Sequence, residues 1–348
     1  MKKNISTFSI AATYIGTVVG AGFASGQEVL QYFGCHGAKG YLGLAAATVI
    51  FIVFGYIMMA LGQKLGADSH YKVVMYAAGP CFGRIVDGII TIFLFVSLTA
   101  MFAGTGAIFK QQLGLPEVMG NAFMAVITLV TVLTGISGII NAISTVAPVL
   151  MTGVFFMGGY TLFTHAGGMP ASGAAFMQPV IPDPLLSGIV YASYNLVTAV
   201  AILAPLGKEA YDRSRLRSGA LWGGVGLGLS AAMIQTTLLM NMPAAAGYEI
   251  PLLYVADGIS PYFTIAYSII MIAEIYSTAI ADLYGFAARF ADPRSAGYVV
   301  YLFAAAIAAV ICSRLGFSNM VRYLYSAEGI AGMILLVGMA VTAISGRL

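Results

Sequence analysis

Glu274, Ser277 and Thr278 stand at i, i+3 and i+4 in an otherwise apolar run, so a helix there puts one carboxylate and two hydroxyls on one face. A carboxylate inside a membrane-spanning helix is expensive enough to be read as functional. Glu274 can neutralise a bound cation or carry a proton itself, and a structural hydrogen bond to a tyrosine or a backbone group is the competing reading. Asp282 follows at i+8, closer to the inner surface and near Arg289, and reads as a solvated ion pair.

A second stretch able to do chemistry is Gly16-Thr17-Val18-Val19-Gly20-Ala21-Gly22-Phe23-Ala24-Ser25-Gly26, which has four glycines in eleven positions. Each glycine costs about 1 kcal/mol relative to alanine in a helix interior, which makes this a cheap place to unwind. A helix broken here exposes amides at the start of its outer half and carbonyls at the end of its inner half. A negative group is then expected at the amides of Ala21 and Gly22, and a cation at the carbonyls of Gly16 and Val19. Close packing through Gly16-x-x-x-Gly20 and Gly22-x-x-x-Gly26 is the alternative. Ser25-x-x-Glu28 has capping-box spacing, so Glu28 is either a helix cap or a gate on the outer pathway.

Those residues need elements to hold them, and the composition says which. With 60% hydrophobic and 8% charged residues and a mean hydropathy of +0.92, the chain is a polytopic helical membrane protein rather than a soluble domain. Apolar stretches of spanning length fall at roughly 6–34, 40–63, 84–110, 118–139, 144–164, 185–207, 218–241, 262–288, 297–313 and 324–345. That predicts an all-α fold of ten transmembrane helices in one transmembrane domain. With the N-terminus inside, twelve of the sixteen Lys and Arg fall on the cytoplasmic side, so both termini are expected in the cytoplasm.

The net charge of +3 is spread thinly, which excludes nucleic acid as a main partner. Lys2 and Lys3 before an apolar stretch imitate a secretory signal, but further spans follow without a break. Cys35, Cys81 and Cys312 lack metal-ligand spacing, and His36, His70 and His165 fall in connections between spans. No zinc-protease, nucleophile-elbow or Walker pattern occurs, so an enzyme is not expected.

Gly26-Gln27-Glu28 is echoed at Gly207-Lys208-Glu209, 181 residues on, and the same offset carries the third, fourth and fifth spans onto the eighth, ninth and tenth. Five helices repeat as five. An odd number per repeat inverts the second copy, as in secondary transporters, with repeats at 1–165 and 182–348. The sixth helix should then be unwound like the first, near Asn195, with Tyr194, Asn195 and Thr198 at mid-span and Thr198 opposite Thr17. Glu209 would face the inner pathway, or simply pair with Lys208.

The run Gly16 to Phe23 resembles the unwound first-helix motif of the amino acid–polyamine–organocation superfamily, whose five-plus-five core is the leucine-transporter fold. Extended through Ala24-Ser25-Gly26-Gln27-Glu28, it looks most like the YkvI-type bacterial membrane proteins. The resemblance in topology covers nearly the whole chain, whereas the motif is specific to the fold and not to a substrate. It implies a cation-coupled transporter of the bacterial cytoplasmic (inner) membrane. The solute implied is small and organic, an amino acid or related carboxylate, in a pocket lined by Thr17, Ala21, Gly22, Tyr194, Asn195 and Thr198, with Ser97, Met101 or Phe102 from the third helix. Sodium-coupled members hold Na⁺ with first-helix carbonyls and two eighth-helix hydroxyls, which Gly16, Val19, Ser277 and Thr278 match; H⁺ is the alternative coupling ion. No other cofactor is implied, and the oligomeric state is not indicated. Phe23 departs from members that place an amide ligand there for a second Na⁺. A ligand sensor or channel on the same fold and a divalent-metal transporter are the alternatives, although the Asp-Pro-Gly-Asn-like and Met-Pro-His-like metal signatures are absent.

Overall fold

The computed structural model describes residues 5–67, 69–134, 139–164, 177–210, 212–292 and 295–348, without the side chains of 134–147. Lys2, Lys3, His165 and Arg294 lie outside the described residues. Helices α1 (Thr7–Val18), α2 (Ala21–Ser25) and α3 (Gln27–Tyr32) make up the first span. Then come α4 (Gly40–Leu65), α5 (His70–Leu113), α6 (Glu117–Thr134) and α7 (Ile139–Thr164). The second half holds α8 (Pro184–Glu209), α9 (Arg213–Met240), the short α10 (Pro251–Asp257), α11 (Pro261–Ala288) and α12 (Ala296–Cys312). The last span begins with α13 (Phe317–Asn319), widens into a π-helical turn over Met320–Tyr325 and continues as α14 (Ser326–Ile344).

Among the described residues, seven helices are long and apolar enough to cross a membrane, and shorter apolar helices at Thr7–Val18, Glu117–Leu133 and Pro148–Thr164 fill the other three expected places. Two starts differ from the sequence expectation. The third helix begins at His70 rather than near 84, and its backbone turns at Gly79, whose φ of 74° suits glycine, with Pro80 next. The tenth begins at Phe317 rather than near 324.

Packing follows a paired pattern. Exchanging each of the first five spans with its counterpart turns α4–α8 into α9–α1, α5–α6 into α11–α12, α5–α14 into α11–α7, and α8–α14 into α1–α7, and all of these contacts are made. Glycines set how close the helices approach. Gly43 meets Gly188 and Gly62 meets Ala204, so α4 and α8 run parallel; Gly219 meets Ile10 and Gly223 meets Tyr14, so α9 and α1 do too. This is the leucine-transporter architecture, with α1–α3 and α8 at the centre of a core that contains Tyr14, Tyr32 and Tyr191.

The break in the first helix falls where the glycines place it. Val19 and Gly20 are both extended, at φ −71°, ψ 112° and φ −128°, ψ −169°. A second interruption was not expected: Gly26 is left-handed at φ 78° and separates α2 from α3. Leu252 of α10 packs so tightly on it that an added Cβ would lie 2.8 Å from Leu252 Cγ.

The sixth helix corrects the expectation. α8 runs unbroken from Pro184 to Glu209, straight through Asn195. Its sequence explains this: between Gly188 and Pro205 there is no glycine or proline to lower the cost of unwinding. The polar groups read as a break turn back on their own helix, Asn195 Nδ2 donating to Tyr191 O at 3.0 Å and Thr198 Oγ1 to Asn195 O at 2.8 Å. Nor does Gly207 play the part of Gly26; it lies inside the last turn of α8, 1.9 Å from Met59 O for an added Cβ, because it serves close packing.

Candidate functional site

The break in the first span lies between two hydrogen bonds, Val19 N–H to Ile15 O at 2.8 Å and Ala24 N–H to Gly20 O at 2.9 Å. Between them the ladder lapses, leaving the carbonyls of Gly16, Thr17, Val18 and Val19 and the amides of Gly20 to Phe23 outside the i to i−4 pattern. Thr17 Oγ1 donates back to Thr13 O at 2.7 Å, so that hydroxyl is spent on its own helix. The Tyr267 hydroxyl of α11 donates to Ala24 O at 2.6 Å and pins the far side of the break.

Glu28 does not cap α3, whose N-cap is Gly26 without a side-chain bond. Ser25 Oγ instead accepts from Gln27 N at 3.1 Å and donates to Gly22 O at 2.9 Å. The Glu28 side chain folds back over α2, where an added Cβ on Gly22 would come within 2.0 Å of Oε1. Gly22 is therefore the seat of this carboxylate, and an alanine there would expel it.

Four tyrosines surround that seat, Tyr32 of α3, Tyr191 and Tyr194 of α8, and Tyr325 at the end of the π-helical turn, each within the electrostatic reach of Glu28. The rings of Tyr32, Tyr191 and Tyr194 stand 5.4, 5.6 and 5.7 Å apart, and Tyr325 lies 5.2 Å from Tyr194. The Tyr194 hydroxyl faces the carboxylate without closing a hydrogen bond at contact distance. Ser326 Oγ donates to the Tyr32 hydroxyl at 3.3 Å.

Beyond Tyr325 are two more carboxylates. Asp282 of α11 adjoins Ser97 of α5, Ser97 also adjoins Tyr325, and Asp282 and Glu328 of α14 lie within each other's field. Glu28, Asp282 and Glu328 are 4%, 7% and 8% exposed. Glu28 Oε2, Asp282 Oδ2, both Glu328 oxygens and the Tyr191 and Tyr194 hydroxyls lack hydrogen-bond partners among the described residues. Isolated buried carboxylates cost several kcal/mol, of order, unless a proton or a cation offsets them. The arrangement is chemically an acidic, aromatic-walled cage whose carboxyl groups call for a proton or a cation.

The expected residues divide accordingly. Gly22, Glu28, Tyr194 and Ser97 come together in the cage, with Ala21 on the same short helix. Asn195 and Thr198 bond to their own helix, while Met101 and Phe102 are buried further along α5. Glu274 and Ser277 are buried on α11, where Ser277 Oγ donates to Glu274 O at 2.8 Å; Thr278 is half-buried, and the fields reaching the cage do not include that of Glu274. Glu209 is exposed at the end of α8. Asp282 is not a solvated partner of Arg289, which pairs instead with Asp87 and donates to Thr91 Oγ1 at 3.0 Å.

Glu328 was missed by the sequence reading, although the rule applied to Glu274, a carboxylate in an apolar span, marks it equally. Tyr32, Tyr191 and Tyr325 carried no such mark among twenty tyrosines.

No family model matches the chain. It is similar to the membrane protein YkvI of Bacillus subtilis (strain 168), at 28% identity over 332 residues, 93% of this chain and 92% of that one. Among solved structures it resembles the inward-facing conformation of Mhp1, with a TM-score of 0.65 and 17% identity over 96% of this chain and 76% of that one. A substrate-bound, outward-open Na⁺-coupled sialic acid symporter is similar at TM-score 0.62 and 13% identity, over 97% of this chain and 79% of that one. At these identities the shared property is the fold.

Proposed function

We propose that this chain is a secondary transporter that moves a small organic solute across the bacterial cytoplasmic membrane by alternating access, coupled to a cation, with both termini in the cytoplasm. The observation that carries this reading is the lapse of the helix ladder at Val19 and Gly20 beside a buried cage of unpaired polar groups. Irregular backbone at membrane depth is tolerated where it lines a site, and here it belongs to the span that also supplies Glu28. That the fold is shared by an inward-facing Mhp1 and an outward-open symporter supports a span able to rearrange.

For the coupling cation, Na⁺ held by the carbonyls of Gly16 and Val19 with Ser277 and Thr278 is the reading supported by the unpaired carbonyls at the break. The solute's class is a different matter. An amino acid or related carboxylate placed on the amides of Ala21 and Gly22 would meet the Glu28 carboxylate, and α2 is a single turn with little dipole to oppose the repulsion.

Counterflow in proteoliposomes tests the class of activity. A solute identified by thermal stabilisation is loaded inside, and the labelled solute outside should be driven in by exchange. Binding without exchange identifies a sensor, and flux without trans-stimulation a channel; either result removes the transporter.

A further inference from the structure

Resting on the transporter reading, we infer that the solute is an amine: it carries a primary ammonium group, without a neighbouring carboxylate, and Glu28 receives that group in the tyrosine cage. Three independent features of the cage match this chemistry.

The first is charge. Among the described residues no Lys, Arg or His is one of the groups whose field reaches Glu28, and Asp282 and Glu328 place two more carboxyl groups beyond Tyr325. A cation entering here can take the place of a proton on Glu28, whereas an anion meets carboxyl groups and no cationic partner. The second is hydrogen-bonding valence. A primary ammonium has three N–H donors, and Glu28 Oε2 and the hydroxyls of Tyr191 and Tyr194 are buried acceptors without partners. A quaternary ammonium would leave all three unsatisfied. The third is the wall. Tyr191 meets Tyr32 at 60° and Tyr194 at 84°, so ring faces and edges form a corner around the carboxylate, and such faces attract cations through the ring quadrupole.

Gly22 fits the same design, since the space it frees is what lets Glu28 turn inward. A zwitterionic amino acid fits less well, because none of the described Lys, Arg or His residues is among the groups acting on Glu28 that could pair with its carboxylate.

The test uses the purified full chain in detergent at pH 7 on a constant KCl background. Unfolding midpoints are measured against butylammonium, tetramethylammonium, butyrate, alanine and Na⁺. Butylammonium should raise the midpoint saturably, while butyrate and alanine leave it unchanged and tetramethylammonium acts more weakly. Glu28→Gln should weaken butylammonium about tenfold or more, the scale of a lost hydrogen bond to a charged group. Tyr194→Phe keeps the ring, removes one acceptor and should weaken it several-fold; it decides the matter if Glu28→Gln does not fold.

Stabilisation by butyrate or alanine in place of butylammonium overturns the inference. So does an unchanged butylammonium affinity in both variants, or an equal, Glu28-dependent response to Na⁺, which would make this an inorganic-cation site. Counterflow of labelled butylammonium separates the two claims. Saturable, Glu28-dependent binding without counterflow sinks the transporter and keeps the amine site, whereas counterflow of butyrate but not butylammonium keeps the transporter and sinks the amine.

Discussion

Gly43 and Gly188 are in direct backbone contact: a Cβ built on Gly188 would lie 2.0 Å from Gly43 O, and one on Gly43 would lie 2.1 Å from Pro184 O. With Gly62 and Gly207 making the same kind of approach near the other ends, α4 and α8 are in contact along most of their length. Within a bilayer there is no hydrophobic drive between helices, so such close packing is a main source of association.

Gly188→Ala should therefore force the two helices apart and lower the unfolding midpoint of the detergent-solubilised protein, by the equivalent of about 1–3 kcal/mol for overpacking. Gly159→Ala on α7 is the matched control, because nothing lies within 4 Å of its Cβ. Equal midpoints for the two variants would show that the α4–α8 contact does not hold the fold together.

The fold was legible because spans, charges and glycines are local signals. The unwinding at Gly20 follows from four glycines in eleven residues, and the continuity of α8 could have been read from the absence of glycine and proline between 188 and 205. Repeat symmetry argued the other way, and local propensity won. The site was half legible. Glu28 and Tyr194 were named, but their meeting depends on Gly22 leaving a gap and on the kink at Gly26 that lets the Glu28 side chain reach back to it, a tertiary arrangement. Asp282 was misassigned because Arg289 is nearby in sequence, whereas the actual partner of Arg289 is Asp87 on another helix.

Tyr267 anchors α11 to the second half of the broken span through its hydrogen bond to Ala24 O. Tyr267→Phe should leave that buried carbonyl without its partner, at a cost of about 1–3 kcal/mol, and loosen α2. Hydrogen exchange is the readout: amides of Ala21 to Ser25 should exchange faster in the variant, while those in the middle of α4 stay protected. Unchanged exchange at α2 would rule out the anchoring role.

Glu249 lies in the connection between α9 and α10, outside the spans, and Oε2 accepts from Phe317 N at 3.0 Å at the start of α13. Burial raises its carboxyl above the ordinary range, and the amide bond from Phe317 only partly opposes this. A raised folded-state value means that the folded protein holds the proton more tightly than the unfolded chain. The resulting stabilisation is full below the unfolded value and is lost as the pH climbs through the folded one. The wild-type midpoint should accordingly gain more than that of Glu249→Gln when the pH is lowered from 7 towards 5. The same pH slope in both proteins would refute this.

The last prediction concerns two positions on α11, where mid-helix Glu274 and Asp282 are about 12 Å apart at 1.5 Å per residue and sit in different surroundings. Asp282 belongs to the cage with Ser97, Tyr325 and Glu328. Glu274 stands with Ser277 and Thr278, and because Ser277 spends its proton on Glu274 O, its oxygen lone pairs remain free to accept a cation. If Na⁺ binds there with the carbonyls of Gly16 and Val19, NaCl in exchange for KCl should raise the unfolding midpoint saturably in the absence of any solute. Ser277→Ala with Thr278→Ala removes two ligands and should abolish that response. Asp282→Asn, which alters only the cage, should leave it intact. Glu274→Gln should weaken it less than the double variant, since it removes charge without removing the hydroxyl ligands. If Asp282→Asn rather than the double variant erases the Na⁺ response, the coupling ion belongs in the cage, and the hydroxyl face of α11 has no part in holding it.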